Sequence, residues 1–161
     1  MDNRASIASL LAEIDGMTPG GFAIGLHIRF NGPVFLFQTF PQAWIDYYAT
    51  EGLQLSDPAV AWSFENTGFI RWRDLEDNDP NDVMGKARAH GMRYGATLSI
   101  DENKSRSVLG CTRSDRDYLD AELEDIRLKL IDLHNMTVGL SALSSADTTA
   151  LKKMSVRLSH T

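Results

Sequence analysis

Four side chains in the middle of the sequence are suited to holding a small molecule: Trp44, Tyr48, Asp57 and Trp72. Trp44 and Tyr48 are four residues apart, so on a helix they project from one face. Tryptophan and tyrosine each combine a large apolar area with one hydrogen-bonding group, and Asp57 adds an acceptor. Together they are typical of a pocket wall that is mostly apolar and hydrogen-bonds at a few points.

A purely structural interpretation of the same residues stays open. Trp44 and Tyr48 are equally consistent with aromatic residues of a core. Asp57 precedes Pro58, a pattern typical of an N-cap followed by proline at the first helical position. Residue chemistry alone does not choose between the two interpretations.

Catalytic and metal-binding patterns are missing from the sequence, which has no GxSxG, HExxH, P-loop or GxGxxG motif. The histidines His27, His90, His134 and His160 are scattered without metal-ligand spacing. His27 falls on the polar phase of a predicted strand, which favours a solvated or hydrogen-bonded role. The single cysteine, Cys111, excludes an internal disulfide and a cysteine-based zinc site, and a buried structural thiol is expected. We therefore predict no enzyme, no metal and no cofactor.

Composition indicates an ordinary globular chain. Its 161 residues suit one compact domain, with 43% hydrophobic and 24% charged residues. No apolar run approaches the roughly 20 residues that a membrane helix needs, and the first residues lack the features of a signal peptide. A cytoplasmic protein that does not bind membranes is expected. The net charge of −6 disfavours binding to nucleic acid, since the only basic cluster is weak and lies in the tail.

Hydrophobic periodicity predicts the elements that would position these side chains. Helical spacing over residues 5–14 is followed by a strand with period two over residues 22–30. Asn31-Gly32 predicts a tight hairpin turn, and residues 34–39 form the returning strand. This alternating pair is a candidate for an apolar pocket wall.

The central part of the chain predicts three helical segments. One begins at Pro41 and ends near Glu51, and the next begins at Asp57-Pro58. Residues 69–72 are predicted as a short strand. A third helix is predicted from Asp79-Pro80 to about His90.

A second hairpin and a long helix complete the pattern. Strands are predicted over residues 94–100 and 107–113, followed by a capping box at Ser114 and Asp117 and a helix to about Met136. Two hairpins separated by helices predict an α+β fold, an α-β-α sandwich with an antiparallel sheet of about five strands and helices on both faces. That helix carries a narrow apolar stripe, which would either pack on the chain's own sheet or contact a second subunit. The stripe consists of Leu119, Leu123, Ile126, Leu130 and Leu133.

The segment FPQAWIDYYATEGLQLSDPAVAWSFENTGFIRW resembles the central part of LuxR-type autoinducer-binding domains. That family has a W-x3-Y helix, then Asp-Pro, then a second Trp, and Trp44, Tyr48, Asp57-Pro58 and Trp72 match in type and spacing. The runs AHGMRYG and SVLGCTRSDRD resemble the family's next landmarks. The similarity extends over about residues 1–138.

The resemblance implies a domain that buries an N-acyl homoserine lactone. The Trp44 position would donate its indole N–H to the lactone carbonyl, and Asp57 would accept from the amide N–H. Tyr48 and Trp72 would line the head-group end of the pocket.

Two departures from the family pattern stand out. The family's tyrosine four residues before the Trp, whose hydroxyl holds the acyl carbonyl, is Phe40 here. A further polar contact from the strand at residues 107–112 aligns near Cys111 and Thr112. Either another donor, such as Thr39 or Thr112, serves the carbonyl, or the pocket prefers a different ligand.

The tail shows the second departure. Residues 139–161 are predicted to be a linker and a remnant of the first helix of a helix-turn-helix module, without a recognition helix. We therefore divide the chain into an autoinducer-binding domain, residues 1–138, and this tail. The chain would sense an N-acyl homoserine lactone or related amide as a homodimer, or as a heterodimer with a full-length regulator. Alternatively it is a ligand-free interaction module that modulates such a regulator. A lactone hydrolase is a third hypothesis, which the missing metal-ligand and nucleophile patterns disfavour.

Overall fold

The computed structural model describes residues 6–160. The helices are α1 (Ile7–Met17), α2 (Gln42–Thr50), α3 (Pro58–Glu65), α4 (Val83–Ala89), α5 (Asp120–Met136) and α6 (Ser145–Lys153). The strands are β1 (Gly21–Arg29), β2 (Gly32–Gln38), β3 (Gly68–Arg71), β4 (Tyr94–Glu102), β5 (Ser105–Arg113) and β6 (Arg157–His160). Short 3₁₀ helices cover Leu53–Ser56 and Trp72–Asn78. Within residues 6–160, none of the helices has the length and apolar character needed to span a bilayer.

The strands form one antiparallel sheet in the order β3-β4-β5-β1-β2-β6. Helices cover it on both sides, which confirms the predicted α+β class and the two predicted hairpins. The sheet has six strands where about five were expected. The additional strand is β6, which comes from the tail and pairs with β2.

The tail packs on the sheet instead of leading away from it. Its helix α6 corresponds to the helix predicted there, but Leu151 and Val156 are 1% and 5% exposed and belong to the main core. The Ser- and Thr-rich composition conceals these two apolar anchors. Residues 145–160 therefore differ from the expected linker.

Helix caps follow the sequence in part. The Asp57 carboxylate accepts from the Ala59 N–H at 2.9 Å and caps α3, as predicted. Asp79 also acts as a cap, but it accepts from the Val83 and Met84 N–H groups, so α4 begins later than predicted. The long helix begins at Asp120, not after Ser114, because the Glu122 carboxylate accepts from the backbone N–H of Leu119.

The apolar stripe of α5 packs on the chain's own core. Its last four members are completely buried, whereas Leu119 is 60% exposed: Leu123, Ile126, Leu130 and Leu133 are each 0% exposed. They lie in the cluster that joins α1 and α5 to one face of the sheet. Of the two interpretations of the stripe, the intramolecular one is confirmed.

The alternation of β1 breaks at His27, which has a positive φ of 55°. Leu26 and His27 both turn towards the α5 side, and Ile28 consequently faces the opposite layer. His27 is buried, and its Nε2 lies 3.0 Å from the carbonyl oxygen of His134 and 2.9 Å from Thr137 Oγ1. The hydrogen-bonded role is confirmed, and the local break lets one strand serve both layers.

Candidate functional site

A cavity of about 690 Å³ lies between the sheet and the layer formed by α2, α3 and α4. Five of the seven residues that the sequence marks as candidates line it together: Phe40, Trp44, Tyr48, Asp57 and Trp72. These five candidates therefore share the wall of one pocket. Its wall is largely apolar, with a few polar side chains.

Helix α2 presents Trp44 and Tyr48 on one face, as their spacing predicts. The two ring centroids are 5.6 Å apart, and the Trp44 ring also packs edge-on against His90 at 5.2 Å. Trp44 is only 5% exposed. Among the described residues its indole N–H has no hydrogen-bond partner, although the side chain lines the cavity. A donor held rigidly and left unpaired is suited to a ligand oxygen.

Asp57 combines its structural and its candidate binding role. While capping α3, it also accepts from the Tyr48 hydroxyl at 2.8 Å. Burial raises the pKa of Asp57, opposed by these hydrogen bonds, and burial beside Asp57 raises the pKa of Tyr48. A carboxylate has about four acceptor positions, so a further donor from a ligand would help to offset its burial. The two interpretations of Asp57 are thus compatible.

Trp72 is a wall residue whose polar group is already in use. Its indole N–H donates to Thr97 Oγ1 at 2.9 Å. Its ring lies directly on the backbone of Gly95, where a Cβ would be only 2.0 Å from the ring. Trp72 therefore offers a ligand an apolar surface and fixes the hydroxyl of Thr97.

The floor of the cavity is made of small residues on the central strands. Ala23 and Gly25 of β1 line it, and Gly110 of β5 lies opposite Ala23. The bulky alternating residues of β1, Phe22 and Ile24, point to the other side of the sheet. On β1 the cavity wall is therefore built from the residues that alternate with Phe22 and Ile24. These residues are smaller than their neighbours on the other face, but they are also apolar.

Cys111 and Thr112 are not brought to the cavity. Cys111 is completely buried on the α5 side, where burial raises the pKa of its thiol to about 12. The Thr112 hydroxyl donates to the Tyr94 carbonyl at 2.9 Å and does not line the cavity. The residues of β5 that line the floor are Val108, Leu109 and Gly110. Cys111 and Thr112 therefore lie outside the cavity that the other five candidates line.

Several lining residues were not predicted from the sequence. Val83 and Met84 of α4 close one side, and Thr97 of β4 contributes a hydroxyl. Asp79-Pro80 predicted a helix here, so Val83 and Met84, the first apolar residues of α4, could have been predicted from the sequence. Thr97 and Gly110 carry no local signal, since their importance depends on strand register. In the part of the chain that the structure describes, no three metal-ligating side chains come together.

Comparison with known proteins gives the family. The sequence model named autoinducer binding domain matches residues 24–137. The HTH-type quorum-sensing regulator RhlR of Pseudomonas aeruginosa is 31% identical over 80% of this chain and 55% of its own length. The regulatory protein SdiA of Escherichia coli is 26% identical over 64% of this chain and 44% of its own.

Solved structures agree in fold. A crystal structure of Escherichia coli SdiA has a TM-score of 0.63 at 19% identity, covering 95% of this chain and 73% of that one. The LuxR-family factor CepR2 of Burkholderia cenocepacia, described as N-acylhomoserine lactone dependent, has a TM-score of 0.62 at 16% identity over 84% and 82%. This chain spans only about half the length of RhlR and SdiA. Over its matched residues, the chain belongs to the autoinducer-binding domain family of LuxR-type regulators.

Proposed function

We propose that this chain is a sensor domain whose cavity binds an N-acyl homoserine lactone or a related neutral amide. The observation that carries the proposal is the distribution of polar groups in the cavity. An unpaired indole N–H on Trp44 and a half-buried carboxylate on Asp57 lie on the helical side. The facing sheet floor offers mainly apolar surface. This arrangement suits a ligand with one compact polar head and an apolar chain.

The head group is expected to bind between α2 and α3. Trp44 would donate to a lactone carbonyl, and Asp57 would accept from the amide N–H. The second bond is charge-assisted and therefore stronger than one between neutral groups. It also gives the ionised carboxylate a partner that partly offsets the unfavourable free energy of its burial.

The acyl chain would lie along the floor over Ala23, Gly25 and Leu36. Each buried methylene contributes about 0.8 kcal/mol, so affinity should rise with chain length until the cavity is filled. SdiA, similar in fold, has a structure in complex with octanoyl-rac-glycerol. Acylglycerols are therefore a second ligand class, and their lack of an amide N–H distinguishes them at Asp57.

The alternative is an interaction module without a ligand. Such a module would fill the space with its own side chains, and the open volume of about 690 Å³ argues for the sensor instead. Dimerisation, with a second copy or with a full-length regulator, stays a prediction to be tested by ultracentrifugation. With a net charge of −6, specific binding of this chain alone to duplex DNA is not expected.

Calorimetry with N-butanoyl-, N-octanoyl- and N-dodecanoyl-homoserine lactone tests the proposal. Trp44→Phe keeps the ring and removes the donor, so affinity should fall about tenfold or more, corresponding to about 1–3 kcal/mol. Trp62→Phe is the matched control, because Trp62 lies on α3 and packs against the same cluster as Trp44 but does not line the cavity. Equal binding by parent and Trp44→Phe would overturn the assigned site. Absence of binding to all three lactones and to octanoyl-rac-glycerol would favour the interaction module.

A further inference from the structure

Phe40 leaves the cavity without a hydroxyl at a defined place. Its side chain lines the cavity beside the sheet floor and contributes no polar atom. The two substitutes suggested by the sequence do not reach the cavity. Thr39 Oγ1 accepts from the Phe22 N–H at 2.9 Å, Thr112 donates to the Tyr94 carbonyl, and neither residue lines the cavity. A donor for a ligand carbonyl must come from elsewhere.

Thr97 is the hydroxyl that the sheet presents to the cavity. It lies in the middle of β4, between Ile70 of β3 and Gly110 of β5 in register, and lines the floor. Its Oγ1 accepts the indole N–H of Trp72. Among residues 6–160, no group accepts the hydroxyl's own proton. Thr97 therefore retains one unused donor, and accepting from Trp72 strengthens it through polarisation.

Gly110 leaves open space on the floor beside Thr97. It is the direct partner of Thr97 on the neighbouring strand. A Cβ built on Gly110 would meet only Phe40 Cζ, at 4.0 Å, so the space above the strand is open. Phe40 Cζ is also the atom that would carry the hydroxyl of a tyrosine. A tyrosine hydroxyl at position 40 and the hydroxyl of Thr97 would therefore both lie near Gly110 on the cavity floor.

We propose that the Thr97 hydroxyl, fixed by Trp72 and adjacent to the open space above Gly110, donates a hydrogen bond to the acyl carbonyl of the bound ligand. This inference rests on the proposed function and assigns a binding residue to it. It also makes Gly110 a specificity residue, because a branched side chain there would extend into the open floor space between Thr97 and Phe40. The floor then recognises the acyl carbonyl, while α2 and α3 recognise the rest of the head group.

Calorimetry with N-octanoyl-homoserine lactone tests the inference on three single variants. Thr97→Val removes the hydroxyl at nearly constant shape and should weaken binding about tenfold. Thr97→Ser keeps the hydroxyl and should bind within about threefold of the parent. Phe40→Tyr in the parent background should leave affinity level or lower it, because the carbonyl is already served.

The double variant Thr97→Val/Phe40→Tyr separates binding from structure. Thr97→Val also deprives Trp72 of its acceptor, and a tyrosine at position 40 does not restore that bond. Recovery of most of the lost affinity in the double variant therefore shows that a ligand donor was replaced. Unchanged affinity in Thr97→Val, or a loss that Phe40→Tyr leaves in place, would overturn the inference.

The proposed function fails separately from this inference. If the parent binds no acyl lactone, the proposed function is wrong and the role of Thr97 falls with it. If the parent binds and Trp44→Phe binds about tenfold more weakly, but Thr97→Val binds like the parent, only the role of Thr97 is wrong. Gly110→Val should weaken binding as Thr97→Val does, and tight binding by that variant would also contradict the inference.

Discussion

The two faces of the sheet are built from the same strands and differ in how completely they are packed. Towards α1 and α5, Phe22, Phe35 and Phe37 are completely buried in one continuous cluster. Towards α2, α3 and α4, the same strands present Ala23, Gly25 and Leu36 to an open cavity. We call these the closed face and the cavity face.

The difference assigns separate tasks to the two faces. The closed face supplies the apolar burial that stabilises the fold. The cavity face lacks part of that burial, so the free protein is less stable than a fully packed one of the same size. A ligand that fills the cavity would stabilise the fold by binding only the native state. Sensing would thus be coupled to the stability of one face.

One polar network on the closed face contrasts with two polar side chains on the cavity face. On the closed face, His27 and His134 pack at 4.3 Å between centroids, and Ser107 links them by accepting from the His27 N–H and contacting His134 Nδ1 at 2.7 Å. On the cavity face, Trp44 and Thr97 keep donors without an acceptor among the described residues. The network of His27, Ser107 and His134 is therefore satisfied by its own members, although the buried hydroxyl of Tyr118 on the same face has no hydrogen-bond partner among the described residues. Trp44 and Thr97 each keep a donor that a ligand could use.

The largest effect is expected from truncating one leucine on each face. Leu26→Ala removes a completely buried side chain from the closed face and should lower the free energy of unfolding by about 2–5 kcal/mol. Leu36→Ala, on the neighbouring strand but facing the cavity, should lower the free energy of unfolding by only about 1 kcal/mol, because the Leu36 side chain is packed on only part of its surface. Urea denaturation of the ligand-free variants measures both. Equal losses would contradict the distinction between the faces.

Asp57→Asn should separate binding from stability on the cavity face. Without the charge-assisted bond to the amide, affinity for N-octanoyl-homoserine lactone should fall by about 1–3 kcal/mol, whereas octanoyl-rac-glycerol, lacking that N–H, should lose less.

Asp57→Asn should weaken ligand binding, but it should not lower the stability of the ligand-free protein. Burial raises the pKa of Asp57, so ionising it disfavours the folded state. The unfavourable contribution is present near neutral pH and disappears as the pH falls and the carboxyl protonates. The ligand-free Asn variant should therefore be at least as stable as the parent near neutral pH, with the difference shrinking towards about pH 4. A clearly less stable variant in thermal unfolding would show that capping α3 dominates.

A smaller effect is expected from His27 on the closed face. Burial first, then the neighbouring His134 and Arg29, lower the pKa of His27. His27 is thus harder to protonate in the folded state than in the unfolded state. Its neutral form therefore contributes stability that is present above about pH 6.5 and is lost as the pH falls below that value. His27→Gln should be less stable overall but flatter in its pH dependence between about pH 7.5 and 5.5. An unchanged slope would contradict this sign.

These residues also show how far the sequence predicts the molecule. Asp57-Pro58 and the spacing of Trp44 and Tyr48 are local signals, and both the α3 cap and the shared face follow from them. The positions of Thr97 and Gly110 depend on pairing between β4 and β5, and a shift of one residue exchanges the two faces of a strand. Cys111 lies on the closed face for this reason, one residue after the lining residue Gly110. Similarly, β6 escaped prediction because its partner β2 lies more than a hundred residues earlier.

The indole N–H signals of the three tryptophans, Trp44, Trp62 and Trp72, provide the most direct test of the central claim. They can be followed by ¹⁵N-resolved NMR during titration with N-octanoyl-homoserine lactone, each assigned by its Trp→Phe variant. The Trp44 signal should move furthest, because its unpaired donor gains an acceptor. The Trp72 signal should move less, since its N–H is already bonded to Thr97, and that of Trp62 least. A Trp44 signal that stays in place at saturating lactone would contradict the account.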